Sequence, residues 1–139
     1  MTDKELYGLA VAAMAQAYAP YSGYKVGAAL LTKSGEVFCG ANAENASYGA
    51  SICAERAAFT SALSAGHRKF AAIAIAANGA APAWPCGICR QFIFEFGDDI
   101  RVLTGPDADS LQSFTIAELL PNGFRLSEPA NVYGKETVT

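Results

Sequence analysis

The stretch Phe70-Ala71-Ala72-Ile73-Ala74-Ile75-Ala76-Ala77 decides how this chain folds. It is an unbroken apolar run of strand length. A strand with one wet face alternates polar and apolar residues, whereas a continuously apolar run reads as a strand buried in the middle of a sheet. Helical segments flank it. Upstream, a helix is expected from about Cys53 to Ala65, ended by Gly66. Downstream, a second helix starts around Cys86 and continues to about Phe96, with Gly97 after it, and Arg101 to Thr104 is a short strand. Strands alternating with helices in this way argue for α/β crossovers.

The outer segments complete the pattern. Thr2 or Asp3 caps a helix running through Leu6, Leu9, Ala10, Ala13, Met14 and Ala17, stopped by Pro20. Tyr21 to Tyr24 is a loop. Val26 to Thr32 and Glu36 to Ala41 read as strands joined by the turn Lys33-Ser34-Gly35, and this hairpin makes the sheet mixed. Asn42 to Ser51 and Asn78 to Pro85 are loops, Asp107 to Ser110 is a turn, Ser113 to Thr115 is a further strand, and Ile116 to Leu120 is a short helix before Pro121. Ser127 to Thr139 shows little pattern.

With 139 residues the chain is expected to form a single domain. Apolar residues make up 52% of it and charged ones 17%, which points either to subunit interfaces or simply to abundant alanine. Ten basic residues against 13 acidic ones leave a net charge of −3, and the nearest approach to a basic cluster is His67-Arg68-Lys69. Nucleic-acid affinity rests on clustered Lys and Arg, so no nucleic-acid partner is expected. No apolar run reaches the roughly 18–20 residues that span a bilayer, so no membrane partner is expected. Met1-Thr2-Asp3-Lys4-Glu5 lacks the pattern of a signal peptide, and a cytoplasmic location follows as the expectation. Under reducing conditions there, the four cysteines suit metal binding or catalysis better than disulfides.

The chemistry concentrates in Cys53-Ala54-Glu55 and Pro85-Cys86-Gly87-Ile88-Cys89. Catalytic zinc takes three protein ligands and keeps a fourth position for water. Cys86 and Cys89 can bind one ion from a single helical turn. Cys53 begins the other helix, so all three thiols lie at helix N-termini, where the dipole favours the thiolate form. Glu55 is placed to reach the open coordination position and to move protons there. Three thiolates around Zn²⁺ leave a net charge of −1, which Arg56 can offset by hydrogen bonding to a sulfur, with Arg90 as a second candidate. Other readings stand beside these. Cys86-x-x-Cys89 alone suits a redox pair, Cys39 could close a structural four-cysteine site although a strand position suits a small core residue, Arg56 could be an ordinary surface residue, and His67 reads as solvated.

The pattern Cys-x-Glu followed by Pro-Cys-x-x-Cys is the signature of zinc deaminases. Up to about Phe124 the chain resembles the small, tetrameric class of cytidine deaminase. Ala19-Pro20-Tyr21-Ser22, Val26-Gly27-Ala28-Ala29-Leu30, Glu44-Asn45-Ala46, Cys53-Ala54-Glu55-Arg56, Pro85-Cys86-Gly87 with Cys89-Arg90-Gln91, and Glu118-Leu119-Leu120-Pro121 carry the resemblance. It implies an α/β fold, three-layer α/β/α with a mixed central sheet of about five strands. Residues 1–126 would form the catalytic domain and 127–139 a tail of unknown role. Cys53, Cys86 and Cys89 would hold Zn²⁺, and Glu55 would shuttle protons during attack of activated water at C4 of the base. Asn42 and Glu44 would bind the ribose hydroxyls, the Ala54 N–H would meet the base, and Tyr24 would pack near the nucleoside. Ala46, Tyr48 and Phe124 match positions that complete the sites of neighbouring subunits in a homotetramer.

Two departures stand out: Tyr24 where the family usually has Phe, and Ala41 where relatives often have Cys. A phenol needs a hydrogen-bond partner or solvent, so Tyr24 bears on substrate choice. The expected activity is deamination of cytidine and 2′-deoxycytidine to the uridine products with release of ammonia, serving pyrimidine salvage. Two alternatives are a deaminase of a modified cytosine nucleoside or nucleoside antibiotic, and a non-catalytic zinc-binding module.

Overall fold

The computed structural model describes residues 1–126, so the tail expected at 127–139 lies outside the described residues. The sheet has five strands: β1 (Val26–Thr32), β2 (Val37–Ala41), β3 (Phe70–Ala77), β4 (Arg101–Thr104) and β5 (Gln112–Thr115). Their spatial order is β2-β1-β3-β4-β5. β3 pairs antiparallel with β1 and parallel with β4, while β2 and β5 pair antiparallel at the two edges. The helices are α1 (Asp3–Met14), α2 (Ala54–Ser64), α3 (Gly87–Phe94) and α4 (Ile116–Leu119). The mixed five-stranded α/β architecture matches the expectation, and the elements fall within a few residues of their expected bounds. The sequence pattern does not announce one local element, a 3-10 turn at Tyr48–Ala50 inside the long polar loop.

The alternation along β3 explains the layering. Successive side chains of a strand point to opposite faces. Ile73 and Ile75 enter the core beneath α2 and α3 with Phe59, Phe70, Ile93 and Val102. Ala72, Ala74 and Ala76 enter the opposite core, where Leu6, Tyr7 and Ala10 of α1 cover the sheet. Bulk lies on one face and methyl groups on the other, so α1 packs close. The closeness is greatest at Gly27, where a Cβ would lie 2.1 Å from the Ala10 carbonyl oxygen. On the other face Gly40 of β2 admits α2 in the same way: a Cβ would lie 2.4 Å from the Ala58 nitrogen and 2.7 Å from the Ala54 oxygen. The first turn of α2 is thereby set directly on the sheet.

Strand parity also corrects one expectation. Gly40 faces α2 and Phe38 packs on that core, so Cys39 points to the other face of an edge strand. It is exposed rather than a core residue. His67 is likewise not solvated. Its Nε2 lies 3.0 Å from Glu36 Oε2, its ring centroid lies 5.1 Å from that of Phe38, and the side chain is only 16% exposed. Arg68 donates to the carbonyls of Leu63 and His67, capping the end of α2.

Candidate active site and metal centre

The N-termini of α2 and α3 converge at the end of β3. Cys53 is the N-cap of α2 and Cys86 the N-cap of α3, both in extended backbone conformation and neither using its side chain as a cap. Cys89 follows within the first turn of α3 and is buried. The three Sγ atoms lie within 4.8 Å of one another, and the Cys53 and Cys86 sulfurs are 3.8 Å apart. A tetrahedral zinc with Zn–S bonds of about 2.3 Å holds its sulfurs about 3.8 Å apart. The donors therefore fit zinc in type and number, and the Cys53–Cys86 pair fits it in spacing. Among the described residues, Cys39 does not belong to this cluster.

Hydrogen bonds among them and from Arg56 let the three thiols lie together. Hydrogen bonding from Cys89, then from Arg56, lowers the Cys53 thiol to about 5 against the opposing effect of burial. Cys89 is displaced upward, first because it is the donor to Cys53 and then because it is buried. Arg56 Nη2 donates to Cys53 Sγ at 3.5 Å, as its sequence position suggests. Arg90 does not serve this purpose. Its guanidinium donates to the carbonyls of Pro85 at 2.7 Å and Leu119 at 2.9 Å, which ties the cysteine loop to α4.

A cleft of ≈ 260 Å³ opens beside the sulfurs. Cys53, Ala54, Glu55 and Cys86 line one end, and Tyr24, Asn42 and Glu44 also line it. Glu55 and Cys53 share this cleft, although two residues apart, because Cys53 precedes the helix with an extended ψ of 152°. The Glu55 side chain is almost fully buried, and desolvation raises its carboxyl to about 7. Such a group can both take and give a proton near neutral pH.

Asn42 and Glu44 turn out to have structural duties as well. Asn42 accepts from the Val26 N–H at 2.9 Å and donates to the Tyr24 carbonyl at 2.8 Å. Glu44 accepts from the N–H groups of Tyr21 and Ser22 and from the Ser22 hydroxyl, which holds its carboxyl below the usual range. An amide offers two donors and two acceptor lone pairs, and a carboxylate about four acceptor sites. Asn42 therefore keeps one donor and one acceptor, and Glu44 about one acceptor, for a ligand.

Ala46, Tyr48 and Phe124 stand apart from the cleft. Tyr48 lines a neighbouring hollow with Tyr21, Ser22, Glu44, Asn45 and Ser51. Tyr48 is 80% and Phe124 68% exposed, and Ala46 is exposed too. Sequence reasoning missed Trp84, which lines the cleft and packs against Phe114 at 5.2 Å between ring centroids. Its place two residues before Cys86 was the available signal. It also missed Val26, Ile75 and Ala83, apolar lining residues that their sequence positions alone do not reveal.

Comparison with known proteins agrees with this geometry. Residues 1–104 match the family described as the cytidine and deoxycytidylate deaminase zinc-binding region. A cytidine deaminase of Halalkalibacterium halodurans is 48% identical over 116 residues, covering 83% of this chain and 88% of the relative. One from Sporosarcina psychrophila is 47% identical over 111 residues, 78% of this chain and 81% of the relative. The crystal structure of cytidine deaminase from Burkholderia pseudomallei superposes with a TM-score of 0.85 at 47% identity, over 89% of this chain and all (100%) of that one. Sequence, fold and the three-sulfur cluster therefore agree that this chain belongs to the zinc-binding cytidine and deoxycytidylate deaminase family.

Proposed function

We propose that this chain is a zinc-dependent hydrolase that converts cytidine and 2′-deoxycytidine to uridine and 2′-deoxyuridine, releasing ammonia, in pyrimidine salvage. The observation that carries the reading is the buried Glu55 carboxyl beside the Cys53, Cys86 and Cys89 sulfurs, at one end of an open cleft with polar and apolar walls. A non-catalytic zinc module has no use for that carboxyl or for that cleft.

Cys53, Cys86 and Cys89 would hold the metal, which when bound supplies a Lewis acid that acidifies water at its remaining position. Glu55 takes a proton from the attacking water and delivers it to N3 of the cytosine ring. After water oxygen has bonded to C4, Glu55 takes the remaining proton from that oxygen and passes it to the departing amine; as the C–N bond breaks, C4 becomes a carbonyl, so that cytidine plus water becomes uridine plus ammonia. A carboxyl near 7 suits both transfers, because it is neither a strong acid nor a weak base at working pH. Arg56 spreads the charge of the three thiolates through its bond to Cys53. The Ala54 N–H, in the first turn of α2, is the donor assigned to the base. The spare capacity of Asn42 and Glu44 is assigned to sugar hydroxyls.

A second reading, deamination of a modified cytosine nucleoside or nucleoside antibiotic, is favoured by one observation. Tyr24 lines the cleft, and its hydroxyl has no hydrogen-bond partner among the described residues, which leaves it for a polar substituent on the ligand. Assembly as a homotetramer is supported by the exposed Tyr48 and Phe124 and by a groove along α2 lined by Ala41, Ile52, Ala57 and Phe92 together with Arg56, Thr60, Ser61 and Ser64. No described helix is long and apolar enough to cross a membrane. The proposal places the protein in the cytoplasm acting on free nucleosides, with residues 1–126 as one catalytic domain and 127–139 as a tail. Zinc-loaded protein should lower the ultraviolet absorbance of cytidine as uridine forms. Unchanged cytidine after incubation with metal-loaded protein overturns the reading.

A further inference from the structure

We infer that Asn78 is a positioning residue for nucleoside binding, acting by holding Tyr24 at the cleft. The inference rests on the deaminase reading above. β1 and β3 pair as far as Val26 opposite Ala77, where the regular ladder stops. Asn78 continues it by two routes. Its main-chain N–H donates to the Lys25 carbonyl at 3.0 Å. Its side-chain Oδ1 accepts from the Lys25 N–H at 3.1 Å, and Nδ2 donates to the Gly23 carbonyl at 2.9 Å. The side-chain amide thus stands in for the next peptide unit of β3, so the main chain can turn away at Gly79 while the pairing goes on.

Tyr24 lies between the two residues so held. Its own N–H donates to Ser22 Oγ at 3.0 Å, and its carbonyl accepts from Asn42. Gly23 has a left-handed φ of 70°, which gives this loop a sharp bend that free chain would not keep. The Tyr24 ring passes alongside Gly79: a Cβ built there would meet the ring's Cε1 at 3.5 Å, an ordinary contact. Asn42, Glu44 and Ser22 grip the loop from one side, and Asn78 grips it from β3. Asn78 itself does not line the cleft. Its effect on a ligand therefore passes through Tyr24.

The test uses the full-length zinc-loaded protein and Asn78→Ala, Asn78→Asp, Tyr24→Ala and the Asn78→Ala/Tyr24→Ala pair. Cytidine turnover gives KM and kcat. Uridine titration gives Kd directly, read from the fluorescence of Trp84, the chain's single tryptophan, which lines the cleft. Asn78→Ala should raise KM and the uridine Kd roughly tenfold, because one loop and its ring must then be ordered on binding, with kcat altered less than about twofold. Asn78→Asp keeps the acceptor for Lys25 but sets a carboxylate oxygen against the Gly23 carbonyl where a donor stood, and should also raise both constants. In the Tyr24→Ala background the Asn78→Ala change should add less than about twofold, since both act on one element. An undiminished tenfold rise in that background, or a folded Asn78→Ala or Asn78→Asp protein with unchanged KM and Kd, overturns the inference. A wild-type protein inactive on cytidine overturns the deaminase reading instead, and this inference falls with it.

Discussion

Substituting Gly40 by alanine should cripple the metal site from a position that touches no ligand. A Cβ at residue 40 would lie 2.4 Å from the Ala58 nitrogen, 2.7 Å from the Ala54 oxygen and 2.9 Å from the Ala57 carbonyl carbon. All three are backbone atoms of α2, so no side chain can swing away. Restoring an ordinary separation of 3.4 Å from the nearest requires α2 to lift from β2 by about 1 Å. Cys53 and Glu55 ride on the first turn of α2, whereas Cys86 and Cys89 ride on α3. A 1 Å lift carried to the sulfurs would open the 3.8 Å Cys53–Cys86 spacing towards about 4.8 Å, well away from the roughly 3.8 Å that tetrahedral Zn–S bonds set. Overpacking of this kind costs about 1–3 kcal/mol, and a misplacement of about 1 Å at a reacting group lowers kcat/KM about 100-fold. At about 4 °C per kcal/mol for a domain of this size, the unfolding midpoint should fall by roughly 4–12 °C. Calorimetry, zinc content after gel filtration and cytidine kinetics measure the three effects. Gly8→Ala is the control: Gly8 lies inside α1, where an added Cβ would meet nothing within 4 Å, so alanine should stabilise by about 0.5–1 kcal/mol. A Gly40→Ala protein with wild-type midpoint, full zinc and full activity would refute the claim that close helix–sheet contact sets the sulfur spacing.

Glu55→Gln should retain zinc and lose turnover at least about 100-fold, measured by metal analysis and cytidine kinetics; an active variant would sink the assigned proton route. The same substitution should change pH dependence in the metal-free protein. The folded Glu55 carboxyl sits at about 7 against an ordinary value of 4.5, so the folded state binds the extra proton and wild-type stability falls as pH rises between those values. Glu55→Gln should therefore gain stability relative to wild type above pH 7, by at most about 3 kcal/mol, and the gain should vanish near pH 4, read as the difference in unfolding midpoints. Arg56→Ala removes the donor to Cys53 and should weaken zinc about 10–100-fold in a chelator competition, while Arg56→Lys should recover part of it. Tyr24→Phe deletes only a hydroxyl without a protein partner among the described residues; an unchanged preference across cytidine, deoxycytidine and modified analogues would remove the case for a modified substrate.

Much of this protein is legible without coordinates because the deciding signals are local. The apolar run at Phe70–Ala77 reports a two-faced strand, glycines and prolines mark where helices stop, and the Cys-x-Glu and Pro-Cys-x-x-Cys spacings put the thiols at helix starts. Each depends on neighbours within one turn or one strand, so composition and spacing suffice. The errors have the opposite character. His67 reads as solvated from its neighbours in sequence, yet Glu36 and Phe38 lie against it; Cys39 reads as buried, yet its strand is an edge with the other face against α2. Arg90 reads as a partner for sulfur, yet its guanidinium reaches the carbonyl of Leu119, 29 residues away.

What residues 53, 55, 86 and 89 are chemically, and that they come in a zinc-ligating pattern, was determined by the sequence itself. How far apart the sulfurs lie, and that burial lifts Glu55 to about 7, was decided only when α2, seated on the sheet at Gly40, met α3. The hydrogen bonds by which Asn42 and Glu44 hold the loop were decided in the same way, as was the grip of Asn78 on the residues beside Tyr24. Donor type is a property of a side chain, whereas distance, dielectric and spare hydrogen-bonding capacity belong to segments far apart in the chain that folding brings together.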